Sequence, residues 1–269
     1  MTITVACDTS AARAHIQLNR PRLGNMLDHQ MLTALTQALE QLDSRVLLLS
    51  GAGESFCNGA DIMEMRRLDP TGLRRVLRAG RRAYQALLDT DAVTIAVLHG
   101  NVTGAGLALA AACDLRIAAP QTRFLLPELD HGVTFSWGGA LPRIIAELGA
   151  PALRRLALLA EPFTAEHARG IGLVHEITDT PAILADAWAT RCARHHPDAL
   201  TLAKRQLRGN TSSCGDPREF DEDLLIASIN SARQAETGPF VLPRRVREQA
   251  GTRRESDVRP APTVTAQHR

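Results

Sequence analysis

Two short, predominantly apolar runs, each emptying into glycine, constrain this chain more than any other feature. Val46-Leu47-Leu48-Leu49 leads into Gly51-Ala52-Gly53, and Val93 to Leu98 leads into Gly100 to Gly106. A run without polar alternation is the pattern of a strand covered on both faces, the usual state of a parallel sheet. The second glycine-rich turn opens a helix of small residues, Leu107 to Ala112. Strand–loop–helix units of this kind predict an α/β fold, in which ligands sit at the carboxyl ends of strands. Attention therefore falls on residues 51–61 and 100–106.

The rest of the chain reads around that frame. Residues 2–18 predict two strands about a turn at Asp8–Arg13, ended by Asn19-Arg20-Pro21 because proline cannot continue a ladder. Asp28 stands where a helix N-cap belongs, and Leu32, Leu35, Leu39 and Leu42 follow at helical spacing. Residues 71–89 predict a helix with Arg74, Arg75, Arg78, Arg81 and Arg82 on its outer face. Two further strands are expected, Leu115 to Ala118 and Phe124 to Leu126. Helices are then expected at 138–148, 151–160, 164–170, 182–195, 198–208 and 217–235. The division is a core over 1–196, a helical region over 197–250 and a tail over 251–269. That tail, rich in proline and arginine, is expected to be disordered.

Composition narrows the function. The chain has 269 residues, of which 45% are hydrophobic and 22% charged. A chain this long buries roughly 70–75% of its unfolded surface and needs neither disulfide nor metal to fold. Aromatic residues are 3% and the net charge is +2, which speaks against recognition of nucleic acid. Five scattered cysteines form no disulfide framework. Met1 to Ser10 lacks the basic and apolar regions of a signal peptide. Val93 to Ala112, the most apolar stretch, is interrupted by His99, Asn101 and Thr103. The expectation is a protein of the cytoplasm with no membrane partner.

Several chemistries can be weighed on these residues. Two glycine-rich turns near each other could aim two backbone N–H groups at one oxygen, as an oxyanion hole does, or could simply pass strands into helices. Gly104-Ala105-Gly106-Leu107-Ala108-Leu109 has Leu109 where a dinucleotide fingerprint needs glycine or alanine. Lys204, the one lysine, is too distant for a phosphate-binding Gly-Lys motif. Ser136 lacks the first glycine of a nucleophile elbow. The histidines form no metal set, and His195-His196 before Pro197 reads as a helix end. Glu128 stands out because Phe124-Leu125-Leu126-Pro127 precede it and Leu129 follows. An apolar setting suits a carboxyl group to acid/base work, while an ion-paired structural role is the alternative.

Taken in order, the motifs resemble those of the crotonase family, the enoyl-CoA hydratases and isomerases. The resemblance rests on Leu18-Asn19-Arg20-Pro21 with Asn25-Met26-Leu27, and on Leu48 to Gly53 with Phe56-Cys57-Asn58-Gly59-Ala60-Asp61-Ile62. It continues through His99-Gly100 to Gly106, Cys113-Asp114-Leu115-Arg116-Ile117-Ala118, Phe124 to Glu128, and Trp137-Gly138-Gly139. Gly170-Ile171-Gly172-Leu173-Val174 and Ala203-Lys204 with Leu207 complete it, so it spans about residues 2–235. It implies an α/β fold: a spiral of ββα turns with an α-helical C-terminal trimerisation region. It also implies an acyl-CoA thioester as substrate, no separate cofactor, and a homotrimer or dimer of trimers. Apolar residues after residue 197 (Leu200, Leu202, Leu207, Leu224, Leu225, Ile226 and Ile229) fit such an assembly.

By the same resemblance, the oxyanion N–H groups fall on Ala60 and Ala105. Ala60, Asp61, Ile62 and Met63 flank the bound thioester, and Met26 stands where the family's usual alanine contacts adenine. A hydratase of this family uses two glutamates. The position of the first is Ala108 here. The second, fourteen residues after Asp114, is Glu128. Hydration needs a water held by both carboxylates, whereas moving a double bond from C3 to C2 needs one base. The expectation is therefore a Δ3,Δ2-enoyl-CoA isomerase with Glu128 as base. The alternatives are a hydratase that recruits another group and a non-catalytic acyl-CoA-binding protein. The aspartate of dienoyl-CoA isomerases and dehalogenases would stand at Ser136. Asp130 and His131 lie close enough in sequence to join the site.

Overall fold

A computed structural model of the protein describes residues 3–8, 12–135 and 137–209. All of these lie in one compact unit. The expected helix at 217–235, the tail at 251–269, Ser136, Cys214, Leu224, Leu225, Ile226 and Ile229 lie outside the described residues.

Nine strands form two sheets among the described residues. They are β1 (Ile3–Asp8), β2 (Arg13–Leu18), β3 (Val46–Gly51), β4 (Val93–Leu98), β5 (Asn101–Thr103), β6 (Leu115–Ala118), β7 (Arg123–Leu125), β8 (Phe163–Thr164) and β9 (Glu176–Ile177). The first sheet runs β1-β2-β3-β4-β6-β9, and the second runs β5-β7-β8. β1 pairs antiparallel with β2, and every other pairing in the first sheet is parallel. All six residues of β3 and of β4 are buried, as their predominantly apolar sequences suggest, with Ser50 and Thr94 buried among them.

The helices are α1 (His29–Glu40), α2 (Ile62–Met65), α3 (Pro70–Asp89), α4 (Ala105–Ala112), α5 (Leu141–Leu148), α6 (Ala150–Leu159), α7 (Ala165–Gly170), α8 (Pro181–Ala193) and α9 (Pro197–Gly209). Asp28 caps α1, its side chain accepting the Met31 N–H at 2.6 Å. Leu32, Leu35 and Leu39 then point into the core, while Leu42 follows the helix end and packs half-buried against it. On one side of the first sheet, Leu47 and Leu49 meet residues of α1, α3 and α4. On the other, Val46, Leu48, Ile95 and Ile117 meet Ala185 and Ala189 of α8.

The structure differs from the expectation at several places. The stretch read as one turn, Gly100 to Gly106, contains β5, and α4 begins at Ala105 rather than Leu107. The polar, short Asn-Val-Thr segment hides its strand character until β7 pairs with it. β8 and β9 have two residues each, too few to show a periodicity. The helix expected from 138 starts at Leu141, after a 3₁₀ turn at Trp137–Gly139.

Buried polar residues join these layers. Lys204 on α9 pairs with Asp114 at 2.6 Å and also donates to the Ala92 carbonyl. The same Asp114 oxygen accepts the Thr94 N–H and hydroxyl, at 2.7 and 2.9 Å. Arg116 of β6 donates to the carbonyls of Leu173 and Cys113 and pairs with Glu147 of α5 at 2.6 Å. The Cys-Asp-Leu-Arg segment thus fastens helices to the sheet.

Candidate active site

Three segments converge where β3 and β4 end. The residues after β3 run alongside those after β4: Phe56 N–H donates to His99 O, Cys57 N–H to Asn101 O, and Thr103 N–H to Cys57 O, at 2.9–3.1 Å. Gly24 to Leu27 hold the other side, with Asn58 N–H donating to Gly24 O and Leu27 N–H to Gly59 O, both at 2.8 Å. Asn25 locks this junction. Its fully buried side chain donates to Ala52 O and Ser55 O and accepts the Arg20 N–H, at 2.8–2.9 Å. An aliphatic residue there would leave three buried or part-buried backbone groups without this partner, and φ of 57° adds to the demand for asparagine.

Leu27 and Ala60 form a parallel bridge. In that bridge Leu27 bonds Gly59 O and Asp61 N–H, so Ala60's own N–H faces away from it. Ala105 is the first residue of α4, where helix N–H groups have no intrahelical partner. Among the described residues, neither the Ala60 nor the Ala105 N–H makes a hydrogen bond. The two segments lie close: a Cβ placed on Gly59 would sit 3.6 Å from the Ala105 nitrogen. Ala105 does not have positive φ, so alanine occupies its position without strain.

Glu128 arrives from a third direction. β5 pairs parallel with β7, and Gly104 N–H donates to Leu125 O at 3.0 Å, so the chain leaving β7 passes across the start of α4. Three residues later the Glu128 side chain lies against Gly104. It is 8% exposed, and a turn tied by Val133 N–H to Glu128 O at 3.0 Å follows it.

These groups face a cavity of about 730 Å³, within the usual range for small-ligand sites. Met26, Ala60, Ile62, Met63, Ala105 and Glu128, all expected in the site, line it. Ala108, buried on α4, lines it too, as does His131. Asp61 does not: its carboxylate caps α2 by accepting the Glu64 N–H at 3.1 Å and lies 3.6 Å from Arg20. Asp130 also lies outside the lining. Glu128 is the one carboxylate among the lining residues described.

Sequence reasoning missed two contributors. The far wall comes from α3, through Leu73, Val76, Leu77, Gly80 and Tyr84. Amphipathic spacing marks such residues as inward-facing but cannot separate a cavity wall from solid core. Arg66, whose guanidinium donates to His131 O at 3.0 Å, bridges the end of α2 to the Glu128 turn. No motif announces that contact. Tyr84 is buried, which pushes its hydroxyl up to about 12, so it stays protonated at neutral pH. Among the described residues, no three His, Cys, Asp or Glu are grouped to hold a metal, and no helix is long and apolar enough to cross a membrane.

The family described as enoyl-CoA hydratase/isomerase matches residues 8–239. The chain belongs to this family. Among its relatives, the short-chain-enoyl-CoA hydratase of Clostridium acetobutylicum is 31% identical over 201 residues, covering 72% of this chain and 77% of the relative. The 2,3-dehydroadipyl-CoA hydratase of Escherichia coli is 34% identical over 200 residues, covering 72% and 77%. Among solved structures, DspI of Pseudomonas aeruginosa superposes with a TM-score of 0.73 at 32% identity, covering 78% of this chain and 81% of DspI. The protein is thus an enzyme of the enoyl-CoA hydratase/isomerase family with the crotonase fold.

Proposed function

We propose that this protein is a Δ3,Δ2-enoyl-CoA isomerase that works with one carboxylate. The supporting observation is the pairing of Glu128 with Ala108 in one cavity: a carboxylate on one wall, and a methyl group where a hydratase carries its other glutamate. In this reading the thioester oxygen sits between the N–H groups of Ala60 and Ala105. Glu128 removes a proton from C2, the charge spreads through the dienolate onto that oxygen, and Glu128 returns the proton at C4. Two N–H donors at the start of α4 and beside it suit a developing oxyanion. Met26, Ile62 and Met63 flank the coenzyme A portion, which is part of the substrate, so no separate cofactor enters. Asp61 contributes by fixing α2 rather than by touching the ligand.

A hydratase reading is favoured by the names of the relatives above, and His131, which lines the cavity, is the group that would then help hold water. Separate incubations with a 3-enoyl-CoA and a 2-enoyl-CoA decide between the two. Isomerase action converts the first to the 2-enoyl thioester and leaves the second largely unhydrated. Rapid formation of 3-hydroxyacyl-CoA from the second would overturn the isomerase reading. The proposed assembly is a homotrimer or a dimer of trimers, in keeping with the exposure of Leu158, Leu159 and Leu207 on α6 and α9. A monomeric mass by light scattering at micromolar concentration contradicts it.

A further inference from the structure

Gly80 stands in the middle of the twenty-residue helix α3, where glycine is less stable than alanine. Two other helical glycines have a packing reason, while Gly170, the last residue of α7, has open space around it. A Cβ on Gly106 would come within 2.5 Å of Cys57 O, and one on Gly72 within 3.0 Å of the capping Asp69. Gly80 has no such reason. Its φ is not positive, and the nearest atom to an added Cβ is Leu32 Cδ1 at 3.8 Å, an ordinary contact. Gly80 lines the cavity, as do Leu32, Leu77 and Tyr84. One further contact fixes the backbone there: a Cβ on Gly138 would meet Gly80 O at 2.9 Å, so the turn after the Glu128 segment packs directly on α3.

We propose that Gly80 is a specificity-determining residue, kept bare so that the acyl chain of the thioester can run along the cavity face of α3, beside Leu77 and Tyr84. The substrates are accordingly thioesters with apolar chains reaching well beyond the reacting carbons. This rests on the acyl-CoA reading of the cavity but not on which reaction occurs there. Helix stability is given up for room, so filling the position should stabilise the fold while narrowing the ligand range.

The test compares binding of saturated butyryl-CoA and decanoyl-CoA to the parent, Gly80→Ala and Gly80→Leu by calorimetry, together with thermal unfolding. The parent is expected to bind decanoyl-CoA more tightly. Gly80→Leu should weaken decanoyl-CoA by about 10–100-fold, with a much smaller change for butyryl-CoA. Gly80→Ala should raise the unfolding midpoint by roughly 1–4 °C. Equal effects on both thioesters, or a lower midpoint for Gly80→Ala, would overturn the proposal. Failure of the parent to bind either thioester would instead sink the acyl-CoA reading beneath it. Absence of isomerase turnover in the parent, with this binding pattern intact, would count against the assigned reaction and leave the role of Gly80 standing.

Discussion

The Glu128 carboxylate lies directly over the α-carbon of Gly104: a methyl group built there would come within 2.6 Å of Oε1. Gly104 has φ 48° and ψ −116°, a conformation open to glycine alone, and it is the cap residue whose chain continues into the Ala105 N–H. One residue thus supports both the proposed base and a proposed oxyanion donor. Gly104→Ala should push the carboxylate aside and strain the turn. A displacement on the order of 1 Å costs about 10²-fold in rate. Steady-state kinetics with a 3-enoyl-CoA, beside circular dichroism to verify folding, measures this. Full activity would mean that the close contact is incidental.

Glu128→Gln keeps the shape of the side chain and removes its basicity. Isomerisation should fall by roughly 10²–10⁴-fold. Exchange of the C2 proton with deuterated water should vanish with it, because both require the same abstraction. Acyl-CoA affinity should be largely retained. If exchange persists at the parental rate, the base lies elsewhere, and His131 is the next residue to replace.

Ala105→Pro isolates the second N–H. The first position of a helix tolerates proline, since its N–H has no intrahelical partner. The substitution therefore removes a donor with little harm to α4. Loss of one oxyanion donor costs about 10²–10³-fold in rate. A folded variant with parental turnover would show that this N–H does no chemistry.

Much of this is legible in the sequence, for reasons that differ residue by residue. The buried strands β3 and β4 announce themselves because both faces are covered, so their residues are predominantly apolar and no charged residue interrupts them. Asp28 announces α1 because an orphan N–H needs an acceptor. Glu128 is visible because a carboxyl group amid apolar neighbours is costly without a purpose. Distance along the chain hides the rest. Asn25 closes three hydrogen bonds with residues that flank it or lie some thirty positions on, and Arg66 reaches the carbonyl of His131 across sixty-five positions. Asp61 sits among cavity-lining residues in sequence, yet its side chain turns back to cap α2, where it satisfies an N–H of the short helix.

His15 should make stability depend on pH. Its Nε2 is 2.7 Å from the Ser50 hydroxyl, and the ring is half-buried between β2 and β3. Burial lowers its pKa from the ordinary 6.5, and the Asp186 carboxylate opposes this in part. The unfolded chain therefore takes up a proton at a higher pH than the native one. By linkage, stability is full above about 6.5 and is lost as pH falls below it towards the lowered native value. His15→Gln should flatten that part of the curve. Thermal unfolding of both proteins between pH 8 and pH 5 checks it. Parallel curves would assign the acid sensitivity to other groups.

Ala108→Glu tests why this cavity holds one carboxylate. Ala108 is 2% exposed and sits one helical turn after Gly104, on the face of α4 that lines the cavity with Glu128. A glutamate there would stand where hydratases of the family carry their first. The added carboxyl group would displace water-sized space beside Glu128, and two carboxylates in one apolar pocket resist ionising together. One of the pair would then hold a proton near neutral pH. That is the arrangement in which one group can hand a proton to C2 while the other draws one from water attacking C3. Hydration of a 2-enoyl-CoA should rise relative to isomerisation of a 3-enoyl-CoA, and the ratio of the two kcat/KM values is the quantity to measure. A bulky buried substitution lowers stability by about 1–3 kcal/mol, so the ratio is more informative than either rate. A variant that folds, keeps its isomerase activity and gains no hydration would show that the methyl group of Ala108 is not what withholds water from this site.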